Sequence, residues 1–370
     1  MSGGGIRVLV AEDSRTVREL LVALLAADPE ITVVGEAETG LEALALAETL
    51  RPDVVTMDIN LPALDGLEAT RRIMERAPTR IIIVSSAVRG QAEASFEATR
   101  AGALAALAKP EGPGSPGFEE SAAQLLRMVH AMSTVKVVRR WARRATPPDA
   151  APAELPPAPL PGLSDGRRPR LVAIAASTGG PAALHRILGE LPRGYPLPIL
   201  VVQHIAPGFV GALASWLDTN GRVRVQVARE GQALEPGHAY VAPDGRHLAV
   251  RAGAEGRIAL PGAPPVGGFR PSGTVLFESV GEAYGGGAVG VILTGMGSDG
   301  VAGLARLRAA GGLVLAQDEA SSVIYGMPRE AATAGVVHQV LPLGEIAGVL
   351  AALSQASGPA SPRRGGGRSR

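Results

Sequence analysis

Through its first third the chain alternates short β-branched apolar runs with stretches whose apolar residues recur at helical spacing. Ile6-Arg7-Val8-Leu9-Val10 reads as a buried strand, and Val17, Leu20, Leu21, Leu24 and Leu25 place one apolar face on a helix over 16–27. The same pattern predicts strands at 31–34, 53–57, 81–84 and, more weakly, 104–107. Helices are expected near 40–50, 66–76, 91–100 and 118–132. Strand and helix in strict alternation predict a doubly wound parallel sheet. After Arg144 the periodicity stops, and residues 146–169 are rich in Pro and Ala, a composition that favours an extended, semi-stiff spacer. Buried-strand runs then return at 171–175, 198–202, 288–293 and 312–316, predicting a second α/β unit. The expected organisation is a first domain over 1–132, a basic then Pro-rich linker over 133–169, a second domain over 170–354, and a disordered Gly/Pro/Ser/Arg tail over 355–370.

Charge and composition narrow the function. Thirty-six basic against 35 acidic residues give a formal net charge of +1, which leaves no global field to hold a nucleic-acid backbone or an anionic membrane. The absence of cysteine excludes disulfides, thiolate metal sites and a Cys nucleophile. No apolar run approaches the roughly 18 residues of a spanning helix. The opening Met1-Ser2-Gly3-Gly4-Gly5 lacks the basic and apolar regions of a signal peptide, so a cytoplasmic protein without membrane insertion is expected. The basic stretch Arg139, Arg140, Arg143 and Arg144 beside Trp141 is a candidate contact surface, although such runs are most often solvated faces.

Two sets of polar residues fall where the carboxyl ends of strands would gather them. In the first domain these are Glu12, Asp13 and Asp58, followed by Ser85 after the fourth strand and Lys109 after the fifth. Three carboxylates at one sheet edge repel one another unless a cation joins them, and oxygen ligands with open water positions suit Mg²⁺. Only two lysines occur in the chain, Lys109 and Lys136, and one of them lies at this edge. Carboxylates, a hydroxyl and an ammonium around Mg²⁺ suit phosphoryl transfer onto an Asp. In the second domain Ser177 follows a strand in Ala175-Ala176-Ser177-Thr178-Gly179-Gly180, a strand–turn–helix that exposes a hydroxyl at a helix N-terminus. That turn alone fits a nucleophile and a phosphate-binding loop about equally. His204 follows the strand ending in Gln203, and Asp299 follows the strand beyond 293, so a Ser-His-Asp arrangement can form from three separate strand ends. Of the other histidines, His130 and His185 fall within helices, while His238, His247 and His338 carry no strand-end signal.

Residues 6–132 resemble a response-regulator receiver domain, on Arg7 to Ser14, Asp58-Ile59-Asn60-Leu61-Pro62 with Asp65-Gly66, Ser85-Ser86 and Ala108-Lys109-Pro110. The resemblance implies a flavodoxin-like fold with Asp58 as phosphoacceptor. It also implies Mg²⁺ held by Glu12, Asp13, Asp58 and the Asn60 backbone carbonyl, and a phosphoryl group read by Ser85 and Lys109. The chain departs from that pattern at Ala106, where receivers commonly carry a switching Tyr or Phe. Residues 171–354 resemble the catalytic domain of the chemotaxis protein-glutamate methylesterase (CheB) family. The matching segments are Ala176 to Gly180, Gln203-His204, Phe269-Arg270-Pro271-Ser272, Leu293 to Gly300, and Gln317 to Ser321 with Tyr325 to Glu330. The resemblance implies a doubly wound α/β esterase with Ser177, His204 and Asp299 as triad, and with Thr178 and Met296 near the oxyanion. It implies no cofactor for the esterase itself. It further implies γ-glutamyl methyl esters, and glutamines, on the cytoplasmic helices of chemoreceptors as substrates. A histidine kinase would be the phosphodonor, and an unphosphorylated receiver would pack over the catalytic cleft. The competing readings are a regulated scaffold without catalysis and a response regulator with a nucleic-acid-binding output. The second predicts a basic helix-turn-helix in the second half, where parallel-strand runs stand instead.

Overall fold

The computed structural model describes residues 5–86, 91–135, 169–251 and 256–355. The Pro-rich run, the Arg139–Arg144 stretch with Trp141, and the tail beyond 355 lie outside the described residues.

The first unit alternates β1 (Ile6–Ala11), α1 (Arg15–Ala26), β2 (Ile31–Ala37), α2 (Gly40–Leu50), β3 (Val54–Met57), α3 (Gly66–Arg76), β4 (Arg80–Ser85), α4 (Gln91–Ala101), β5 (Ala105–Ala108) and α5 (Phe118–Ser133). Its strands pair in parallel in the order β2-β1-β3-β4-β5. β1, β3 and β4 are buried along almost their whole length, because helices cover both sheet faces. Thr39 and Asp65 cap α2 and α3 by accepting the backbone N–H three residues on.

The second unit begins with β6 (Leu171–Ala176), α6 (Gly180–Glu190), β7 (Ile199–Gln203), α7 (Val210–Asp218), β8 (Arg224–Val227) and β9 (His238–Val241). A hairpin of β10 (Ala249–Arg251) and β11 (Arg257–Ala259) follows, and then α8 (Gly273–Tyr284). The chain closes with β12 (Ala288–Ile292), α9 (Val301–Ala309), β13 (Leu313–Gln317), α10 (Met327–Thr333), β14 (Gln339–Leu341) and α11 (Leu343–Gln355). The main sheet has seven parallel strands in the order β14-β13-β12-β6-β7-β9-β8. β6 is central, and the chain leaves it first toward β7 and later returns on its other side as β12. This is the reversal of strand order at which open α/β sheets form their clefts. Two apolar layers fill the unit, one beneath α6, α7 and α11 and the other beneath α8, α9 and α10.

Close helix packing sets the position of α8. A Cβ on Gly303 of α9 would stand 2.3 Å from the Thr274 carbonyl oxygen of α8, so only glycine permits this approach. Gly303→Ala is therefore expected to destabilise the second unit by about 1–3 kcal/mol. A lowered urea midpoint with unchanged slope checks this.

Candidate active site and its regulatory receiver

At the carboxyl edge of the first sheet, Glu12 and Asp13 follow β1, Asp58 follows β3 and Lys109 follows β5. Glu12 and Asp58 are buried, and the Lys109 ammonium lies 2.8 Å from the Glu12 carboxylate and 3.0 Å from Asp58 Oδ2. Burial raises the Glu12 pKa above the ordinary carboxylate value, and the nearby Asp58 charge adds to this against the opposing pull of Lys109. Burial also opposes the Lys109 charge, yet its hydrogen bonds to Glu12 and Asp58 outweigh that and raise its pKa. The carboxylates of Glu12, Asp13 and Asp58 lie within 4.8 Å of one another. One ammonium among three carboxylates leaves negative charge unmatched, so the donor set fits a divalent cation. Asn60 lines an adjoining surface hollow with Asp13. Ser85 is fully buried, and its hydroxyl donates at 3.4 Å to the Ser86 carbonyl rather than to the acidic cluster.

In the second unit the parallel register places Ala176 beside Gln203 and Ile292 beside Ala175, so the segments after β6, β7 and β12 emerge together. Ser177 N–H donates to the Thr294 carbonyl at 3.0 Å, which ties the serine turn to the strand leading toward Asp299. Gly179 takes a left-handed φ of 79° and opens α6. The amide of Gln203 donates to the carbonyls of both Ser177, at 2.7 Å, and His204, at 2.9 Å. Gln203 thus clamps the serine turn to the histidine loop, a role the sequence did not reveal.

His204 and Asp299 are joined by a 2.9 Å hydrogen bond from Nε2 to Oδ2. Phe269 stacks on the imidazole, with ring centroids 4.2 Å apart and planes at 12°. The remaining ring nitrogen, His204 Nδ1, is buried and has no hydrogen-bond partner among the described residues. Asp299 also accepts from Ser272 Oγ at 2.7 Å and from Gly273 N at 2.6 Å. Burial alone would raise its pKa, but the hydrogen bond and charge of His204 together with these donors bring it down to about 2.

Ser177, Thr178, His204 and Met296 line one cavity of about 740 Å³, together with Phe269 and Arg270. Its opposite wall comes from the first unit: Ala106 and Leu107 of β5, Thr99 of α4, and Glu120, Arg127 and Met128 of α5. The two units are held together beside it by Trp216 of α7, which stacks on Phe96 of α4 at 5.5 Å and donates its indole N–H to Glu97 at 3.0 Å. The position without the expected aromatic, Ala106, therefore faces this shared cavity.

Two family descriptions match the chain: a response regulator receiver domain over residues 8–115 and a CheB methylesterase over 172–350. The protein-glutamate methylesterase/protein-glutamine glutaminase 4 of Myxococcus xanthus is 53% identical over 358 residues, covering 97% of this chain and 99% of the relative. The protein is a member of the protein-glutamate methylesterase/protein-glutamine glutaminase family. The family's number 3 enzyme of Anaeromyxobacter dehalogenans is 55% identical, with 94% and 98% of the two chains covered. The Thermotoga maritima CheB methylesterase catalytic domain is 36% identical and covers 50% of this chain and 98% of its own, with a TM-score of 0.49. Among the described residues no helix is long and apolar enough to cross a membrane.

The depressed Asp299 pKa carries a stability consequence. Its folded-state value lies below the unfolded one, so the stabilisation is complete above about pH 4 and is lost as pH falls through about 2. In urea unfolding, the stability advantage of the wild type over Asp299→Asn should shrink by about 2 kcal/mol between pH 5 and pH 2. A constant difference across that range would show that the carboxylate is not so held.

Proposed function

We propose that the protein hydrolyses γ-glutamyl methyl esters, and deamidates glutamines, on the cytoplasmic helices of methyl-accepting chemoreceptors, with Ser177, His204 and Asp299 as its triad. The observation that carries this reading is the His204 imidazole fixed to Asp299 through Nε2, with Nδ1 unpartnered among the described residues and with Ser177 and His204 lining one cavity. With Nε2–H given to the carboxylate, Nδ1 is the base. It takes the Ser177 hydroxyl proton as Oγ attacks the γ-carbonyl carbon, and returns that proton to the departing methoxide, releasing methanol. A water deprotonated by the same nitrogen then attacks the acyl carbon, and the proton passes to Ser177 Oγ as its ester bond breaks, leaving a glutamate that ionises to the carboxylate. For a glutamine the leaving group is ammonia, so one site serves both substrates. Thr178 and Met296 stand at the same cavity and support the developing oxyanion.

Regulation rests on the receiver. A histidine kinase phosphorylates Asp58; Glu12, Asp13, Asp58 and the Asn60 carbonyl would hold Mg²⁺ there. The ion supplies charge neutralisation, and Lys109 and Ser85 bind the phosphoryl oxygens. Because residues of α4, β5 and α5 wall the Ser177 cavity, loosening that contact admits a receptor helix. The protein acts in the cytoplasm, where kinase and receptor helices meet.

A serine-directed phosphonate should label the wild type at Ser177, faster after treatment with a small phosphodonor, and should leave Ser177→Ala unlabelled. Unlabelled wild type would favour a catalytically silent scaffold. Lys109→Arg keeps the charge but replaces a compact ammonium by a planar fork, so it should abolish the phosphodonor's acceleration while preserving the basal labelling rate. Normal acceleration in that variant would remove Lys109 from the switch.

A further inference from the structure

Most of the hydrogen bonds that hold Asp299 come from one short segment. Ser272 Oγ donates to Oδ1 at 2.7 Å, Thr274 N to Oδ1 at 3.3 Å and Gly273 N to Oδ2 at 2.6 Å. The fourth donor is His204 itself. The orientation of the carboxylate, and with it the tautomer of His204, is thus set by the first turn of α8. That turn is in turn fixed by a second histidine. His247 is fully buried on the segment between β9 and β10, and its Nδ1 accepts the Ser272 N–H at 3.2 Å. Its Nε2 lies 3.0 Å from the Pro264 carbonyl, which can only accept, so Nε2 carries the proton and Nδ1 supplies the lone pair. One neutral tautomer satisfies both bonds. Ser272 is equally committed: its hydroxyl proton goes to Asp299 while its oxygen accepts Thr274 N–H at 3.2 Å. A continuous chain of hydrogen bonds therefore runs from Pro264 through His247, Ser272 and Asp299 to His204.

We propose that Ser272 and His247 are positioning residues of the esterase, which fix the Asp299 carboxylate and so keep His204 in the Nε2–H tautomer with Nδ1 free to act as base. The proposal rests on the triad reading above. An N-terminal cap alone would give α8 stability and nothing more. The relay also decides which imidazole nitrogen is bare, and an uncommitted imidazole distributes its proton between both nitrogens.

The test uses the full-length protein and reads two properties. ¹⁵N NMR of the His204 ring reports the tautomer without any turnover. Methanol release from methylated receptor membranes, with phosphodonor present, reports kcat and KM. The wild type should show a single Nε2–H tautomer. Ser272→Ala and His247→Leu should show a mixture, with kcat lowered roughly ten- to a hundredfold and KM within about twofold, as expected for losing one charge-assisted bond or its support. Ser272→Thr, which keeps the hydroxyl, and His247→Asn, which keeps an acceptor near the Nδ1 position, should recover most of both properties. A wild-type tautomer and wild-type kcat in Ser272→Ala would overturn the proposal, as would a lowered melting temperature with the tautomer unmoved. Because the NMR reading needs no substrate, failure of the relay is distinguishable from failure of the esterase reading, which would show as methanol release persisting in Ser177→Ala.

Discussion

Everything at the candidate active site depends on β6 being hydrogen-bonded in parallel to both β7 and β12. A parallel pair points the carboxyl ends of its strands the same way, and the change of winding direction at β6 keeps helices from covering that edge. Three polar segments, the last of them 95 residues beyond His204, are thereby brought to one place. The same constraint acts in the smaller sheet, where β1, β3 and β5 deliver Glu12, Asp58 and Lys109 to a common end. One topological rule thus builds both the candidate hydrolytic site and the candidate phosphorylation site.

The two sites then meet through packing rather than through chemistry. The face of the receiver formed by α4, β5 and α5 lies against the Ser177 cavity, and the Trp216–Phe96 stack with the Trp216–Glu97 hydrogen bond joins the units at the side. Lys109 follows β5 directly, so a change at its ammonium is one short segment from the shared wall. Ala106, with its small side chain, is part of that wall.

Much of this was legible in the sequence because the signals were strong and local. The Val/Ile-rich strands β1, β3, β4, β6 and β7 announce themselves, and helices α2 and α3 fall at the bounds that periodicity gives. The strands missed were short or polar. Arg224-Val225-Gln226-Val227 forms the outer strand β8, while His238 to Val241 and Gln339 to Leu341 become strands through pairing with distant neighbours. Ser177, His204 and Asp299 stood out as candidates because each lies beyond a buried strand, and the structure places those strands side by side. Ser272 had a signal that could have been used, since Pro271-Ser272-Gly273-Thr274 before Val275-Leu276-Phe277 has the form of a helix cap. His247 had none: its importance comes from non-local contacts with Ser272 and Pro264 that no spacing encodes.

We propose a serine esterase held in check by its own receiver. The most direct test is methanol release from methylated chemoreceptor membranes, with and without a small phosphodonor and Mg²⁺. Release should be slow, rise on adding the phosphodonor, lose that rise in Asp58→Asn, and disappear in Ser177→Ala. Release at one rate regardless of phosphodonor would contradict the gate. Release that persists in Ser177→Ala would contradict the triad.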